Sequence, residues 1–235
     1  CNSLPSGSQE GTAGSTATKR SFDYYCAGIV IIMVKIKTVV FDIGGVLIDW
    51  NPRHLFRKVF DNESEMEWFL TNVCTYEWNL QQDGGKLFSV ATAELQEKFP
   101  EYSDKIALYY GRWEEMLDGE IKGTVEIFRR LKSAGMPLYA LSNWSHEAFP
   151  VAYAKYDFMK EFDGLVVSGY EKLLKPDHAI YRVLMQRYNV NPEEAVYIDD
   201  NKPNADAAAE LGFHAIHFSS PEQLRAELRS IGLFV

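Results

Sequence analysis

Short apolar runs alternate with amphipathic stretches along most of this chain, and the spacing of the apolar positions defines the elements. Ile36 to Phe41 is apolar and β-branched, broken only by Lys37 and Thr38, which is the pattern of a strand buried in a parallel sheet. From Trp50 to Leu117 the period becomes helical. Pro52 opens a helix running through Val59-Phe60, and Ser64 to Val73 sets Met66, Phe69, Leu70 and Val73 at spacings of three and four. Leu87–Phe99 and Tyr102–Leu117 repeat the pattern, with Asp83-Gly84-Gly85 as a loop before them. Strand and helix then alternate. Helix Gly123–Ala134 stops at Gly135, followed by strand Leu138–Leu141, a helix beginning near Ser145, strand Leu165–Ser168 and helix Ala179–Tyr188. Strand Val196–Ile198, helix Asn204–Leu211, strand Ala215–Phe218 and a last helix after Pro221 complete the series. Such alternation demands a mainly parallel sheet with right-handed crossovers. The predicted class is α/β, with helices flanking the sheet and an all-helical insertion after the first strand.

Three segments follow from this pattern. Residues 33–49 and 119–235 form the α/β unit, 50–118 the helical insertion and 1–32 an extension. Residues 1 to about 22 are Ser/Gly/Thr-rich with almost no large apolar side chain and so offer nothing to offset the entropy of folding. Lys19-Arg20 ahead of Cys26 to Ile32 faintly resembles a secretory signal, but no small-residue cleavage site follows. Met33 stands just before the first strand, so 1–32 is expected to be a disordered or non-native extension.

Composition narrows the class of partner. With 46% hydrophobic and 24% charged residues the chain reads as a soluble globular protein. A net charge of −9 argues against nucleic acid or an anionic membrane as a partner. No apolar run approaches the ~20 residues of a spanning helix. Cys1, Cys26 and Cys74 have no metal-ligand spacing, and any disulfide scheme leaves one of them over. A reducing, cytoplasmic setting is the simpler expectation. Monomer and homodimer both stay open.

The candidate chemistry lies at strand ends. Asp42 ends the first strand, where open α/β sheets place reactive groups, and Gly44-Gly45 lets the backbone turn close to a ligand. Ser142-Asn143 ends the second, though these two residues can equally cap a helix. Lys175 precedes Pro176 and a helix. Asp199-Asp200 ends the third strand, and two carboxylates beside Asp42 would repel strongly unless a cation were present or protons bound. Hard oxygen ligands suit Mg2+.

Asp42, Ser142, Lys175 and Asp199-Asp200, in that order, resemble the four motifs of the haloacid dehalogenase superfamily over roughly residues 33–235. The resemblance implies a Rossmann-like core with a helical cap at 50–118. It also implies an Asp42 nucleophile forming an aspartyl phosphate, and Ser142, the Asn143 amide and Lys175 around the phosphoryl group. For the metal it implies Mg2+ held by Asp42, the Gly44 carbonyl and Asp200, with Asp199 and Asn204 in support. Trp50, Asn51, Trp78, Asn79 and Asp83 of the cap, with Trp144 at the cleft mouth, are the candidates for meeting the substrate, a small phosphorylated metabolite. Gly44 departs from the pattern, since most phosphatases of this kind carry a second Asp there as acid and base. Asp49, His54 and Glu77 are the nearest replacements in sequence. The expectation is that none reaches the ester and that good leaving groups, such as sugar 1-phosphates, are favoured. Two alternatives remain. A metal-independent 2-haloacid dehalogenase would share Asp42, Lys175 and Tyr181 but would carry neutral residues at Asp199-Asp200. A non-catalytic binding protein of the same fold is the other.

Overall fold

The computed structural model describes residues 35–233 and 235. The expectations for residues 1–32, including the start at Met33, lie outside them. In chain order the elements are β1 (Thr38–Phe41), β2 (Ile48–Trp50), α1 (Pro52–Phe56), α2 (Glu63–Asn72), α3 (Tyr76–Asp83), α4 (Phe88–Lys98) and α5 (Ser103–Gly111). They continue with β3 (Leu117–Glu120), α6 (Lys122–Ser133), β4 (Leu138–Ser142), α7 (Phe149–Lys155), β5 (Gly164–Val167) and α8 (Ser168–Glu171). Last come α9 (His178–Tyr188), β6 (Ala195–Asp199), α10 (Lys202–Glu210), β7 (His214–His217) and α11 (Pro221–Ser230).

Five strands form a parallel sheet in the order β5-β4-β1-β6-β7. β1 lies at its centre. Val39 and Phe41 pack into one apolar cluster and Val40 into another, and none of the three has any exposure. That two-sided burial is why the run does not alternate with polar residues. Parallel pairing brings the carboxyl ends of β1, β4 and β6 to one edge of the sheet, and with them Asp42, Ser142 and Asp199.

The stretch between Trp50 and Leu117 is less uniform than its period predicts. Ile48–Trp50 pairs antiparallel with Leu117–Glu120, so both ends of the helical insertion leave through a two-stranded ribbon. Strands of three and four residues are too short to show a period. The helix at Pro52 ends at Phe56, not Phe60. Tyr102–Leu117 breaks at Gly111 into a 3-10 turn over Trp113–Met116. An additional helix, α3, starts where Thr75 Oγ1 accepts a hydrogen bond from the Trp78 backbone N–H. Its polar sequence hid it. The helix expected from Ser145 begins only at Phe149, because the Ser145 hydroxyl instead closes a turn by accepting from the Glu147 N–H. Among the described residues no helix is long and apolar enough to cross a membrane.

Candidate active site

Asp42 sits one residue past the end of β1, buried. Its Oδ1 accepts from the Ile43 backbone N–H and from Ser142 Oγ, each at 2.7 Å, and its Oδ2 lies 3.0 Å from Lys175 Nζ. Burial pushes its pKa up to about 7, with Lys175 pulling the other way and Asp199 and Asp200 adding to the rise. A carboxylate this poorly compensated requires a further positive charge nearby to stay ionised.

Lys175 is buried; its Nζ donates to Asp199 Oδ2 at 2.7 Å and to the Leu141 carbonyl at 2.9 Å, and it forms an ion pair with Asp42. Burial works against its charge, but the carboxylates of Asp199 and Asp42 outweigh it and hold the ammonium above its ordinary range. Asn143 fixes the backbone that carries it. The Lys175 N–H donates to Asn143 Oδ1 at 2.9 Å, and Asn143 Nδ2 donates back to the Lys175 carbonyl at 3.0 Å. Sequence reading missed this second use of Asn143, because only the folded register sets β4 beside the Lys175 loop.

Asp199 is fully buried and saturated. It accepts from Lys175 and Tyr197 at Oδ2, and from the Asn201 N–H and Asn204 Nδ2 at Oδ1. Asp200 is the more open partner, its pKa raised by burial and by Asp199. One carboxylate oxygen from each of Asp42, Asp199 and Asp200 falls within 4.8 Å of the others. Three carboxylates share a single ammonium, and two of them are driven toward the neutral acid without more charge. The donor set is hard oxygen, as Mg2+ prefers. Gly45 shapes the cradle: its φ is +73°, and a Cβ there would stand 2.2 Å from Asp200 Oδ2. The residues present fit such an ion.

A cavity of about 310 Å³ opens over this edge, lined by Asp42, Gly44, Ser142, Asn143 and Asp200 on the sheet side. Trp50, Asn51, Asn79, Asp83 and Trp144, named from sequence, line it too. Trp78 does not. It is packed against Tyr109 and Tyr110, and its indole donates to the Ala91 carbonyl at 3.3 Å. That placement corrects the expectation that Trp78 meets the substrate. Tyr76, Phe88 and Tyr110 were missed, since helical spacing made the latter two look like core. Asp49, His54 and Glu77 do not reach the cavity; Asp49 and His54 pair with each other at 3.0 Å.

The match to a family model decides the lineage: residues 36–212 fit haloacid dehalogenase-like hydrolases. The chain belongs to that family. It is 24% identical over 195 residues to a sesquiterpene phosphatase of Aspergillus oryzae, covering 83% of this chain and 96% of the relative. A phosphorylated carbohydrates phosphatase of Thermotoga maritima is 24% identical over 183 residues, with 77% and 84% covered. A drimenol cyclase of Aspergillus calidoustus is 23% identical over 201 residues, 83% of this chain, but the match spans only 36% of that relative's length. Among solved structures, a haloacid dehalogenase family enzyme from Bacteroides thetaiotaomicron, in complex with magnesium and inorganic phosphate, superposes with a TM-score of 0.58. It is 22% identical, over 79% of this chain and 95% of that one. An L-2-haloacid dehalogenase from Xanthobacter autotrophicus with covalently bound chloropropionic acid gives 0.56 at 19% identity, with 85% of each chain covered. At these identities the structural likeness is one of fold, and it embraces both chemistries. The family is one of hydrolases, and the two relatives matched over most of their own length are phosphatases.

Proposed function

We propose that the protein is a Mg2+-dependent phosphatase of a small phosphorylated metabolite, working through a phosphoryl group carried on Asp42. The carboxylate triplet of Asp42, Asp199 and Asp200, left under-neutralised by one Lys175, is the observation that carries this reading. A metal-independent dehalogenase would have no use for Asp200 beside a buried Asp199.

Asp42, the Gly44 carbonyl and Asp200 would hold the ion, with Asp199 as the buried anchor that orients Lys175. Bound there, Mg2+ supplies charge that keeps Asp42 ionised and offsets the negative charge of the phosphoryl oxygens. Lys175 holds one carboxylate oxygen of Asp42 in place and brings a positive charge to the phosphoryl group. Ser142 Oγ, now donating to Asp42, is placed to donate to a phosphoryl oxygen instead. Carboxylate attack on phosphorus splits hydrolysis into two displacements. The helical insertion acts as the cap: it covers the cavity, excludes water and contributes the aromatic wall of Trp50, Tyr76, Phe88 and Tyr110.

A panel of phosphorylated metabolites and 2-haloacids, assayed with Mg2+ and with excess chelator, tests the function. Phosphate release that needs Mg2+ is the expected outcome. Halide release, or phosphate release undiminished by chelator, would return the dehalogenase or a metal-free route.

A further inference from the structure

A departing alkoxide needs a proton, and Gly44 has no side chain to give one. Three carboxyl groups line the cavity: Asp42, Asp200 and Asp83. The first is the proposed nucleophile and the second the proposed metal ligand. The tyrosines of the wall are poor donors, because burial raises the pKa of Tyr76 and Tyr110 above that of an ordinary phenol. Arg53 is engaged by Glu67. Asp83 is left.

We propose that the Asp83 carboxyl, held at the end of α3 and opening on the same cavity as Asp42, protonates the leaving oxygen and then accepts the proton of the attacking water. This rests on the phosphatase reading above. Its placement is built, not incidental. Asn79 Nδ2 donates to Asp83 Oδ2 at 2.9 Å, while the Tyr110 hydroxyl lies 3.1 Å from Asn79 Oδ1 and 2.9 Å from Gln82 Oε1. The remaining oxygen, Oδ1, is the one able to carry a proton. The backbone is pinned as well. Ser168 Oγ donates to the Asp83 carbonyl at 2.6 Å while accepting from the Trp144 N–H at 2.8 Å, so α3 is tied to the loop that follows β4 and holds Asn143. Gly84 packs beside Leu174, next to Lys175, with a Cβ contact of only 3.2 Å available.

The surroundings favour a neutral acid. Asp83 is the last residue of α3, where the helix dipole opposes a negative charge. Burial, and then the charge of Asp42, raise its pKa to about 8 against the opposing pulls of the Ser145 amide and Lys175. At neutral pH it therefore holds its proton, as an acid catalyst must.

In the first displacement an Asp42 oxygen forms a bond to phosphorus, and the ester P–O bond breaks with its electron pair going to the alcohol oxygen. That oxygen takes the Asp83 proton. In the second, water attacks phosphorus, the Asp42–phosphorus bond breaks, and the proton released returns to the Asp83 carboxylate. Asp42 and Asp83 end as they began.

The test is a series of phosphate monoesters, from 4-nitrophenyl phosphate to simple alkyl phosphates, in single-turnover reactions with Mg2+. The parent protein should show a shallow dependence of rate on leaving-group pKa. Asp83→Asn should steepen it, with a loss on the order of 100- to 10,000-fold on alkyl esters that shrinks as the leaving group improves. Gly44→Asp in the Asp83→Asn background should recover part of the alkyl rate, since a Cβ at Gly44 meets nothing within 4 Å.

A second readout needs no variant. In the parent, the ratio of alkyl to aryl rates should fall as pH rises through the Asp83 titration, and taking the ratio cancels the titration of Asp42. The groups facing Asp83 are Asp42 of β1, Lys175 ahead of α9, Tyr76 of its own helix, and Tyr109 and Tyr110 of α5. Equal slopes in parent and variant, a uniform loss across all esters, or a steep slope and pH-independent ratio in the parent would overturn the role of Asp83 alone. Absence of any Mg2+-dependent ester hydrolysis would remove the phosphatase reading and this proposal with it.

Discussion

A methyl group on Gly45 would stand 2.2 Å from Asp200 Oδ2, whereas one on Gly44 would meet nothing within 4 Å. Neighbouring glycines thus have opposite tolerances. Gly45→Ala must move Asp200 and also strain a backbone at φ +73°. It should weaken Mg2+ binding by at least about 10-fold, the order seen when support of a metal ligand is removed, while Gly44→Ala leaves it unchanged. Titration calorimetry on both variants checks the pair. Lys175 gives a second prediction. Replacing it with Met leaves Asp42 and Asp199 buried without their cation, a loss of about 3–5 kcal/mol by the usual cost of breaking a buried pair. Denaturant titration should show it. That Asp42, Ser142, Lys175 and Asp200 gather at one edge of the sheet was legible in the sequence because each lies at or just past a strand end or shortly ahead of a helix, where chain order fixes position. The second role of Asn143 and the hold of Tyr197 on Asp199 were not, since they depend on contacts between elements far apart in the chain.

At the scale of elements, the helical insertion was legible as helical but its internal geometry was not. Trp78 falls on the polar helix α3 and Tyr110 on α5, yet Trp78 is packed inside the insertion and Tyr110 lines the cavity. Packing between elements, not spacing along the chain, separates them. Trp78→Ala should therefore cost about 3–5 kcal/mol, as for other buried aromatic truncations, and leave the ranking of substrates as it was. Tyr110→Leu should change that ranking with a smaller loss of stability. Thermal melts and the same substrate panel distinguish the two. The ribbon of β2 and β3 escaped notice for another reason: its strands are three and four residues long. The sheet was easier, because β1, β4 and β6 each carry an apolar run closed by a polar residue.

Over the whole molecule the site is a source of instability that the proposed ion would offset. The folded-state pKa values of Asp42 and Asp83, about 7 and about 8, lie above the ordinary carboxyl value of 3.8. Between roughly pH 4 and 8 the unfolded chain has lost these protons while the folded one retains them. Each unit of pH across that window then removes stability from the metal-free protein. Melting temperature in chelator should fall as pH rises from 5 to 8, and the gain on adding Mg2+ should be larger at the higher pH. Stability that rises over the same range without metal would show that these carboxyls are not strained. The claim on which all else depends is that Asp42 carries the phosphoryl group. Rapid acid quench of the protein turning over its best phosphate ester, followed by mass analysis of the peptide holding Asp42, tests it directly. A phosphoryl adduct on Asp42 that appears with Mg2+, and is absent in chelator and in Asp42→Asn, is the predicted result. Undiminished turnover by Asp42→Asn, or an adduct on another residue, would contradict it.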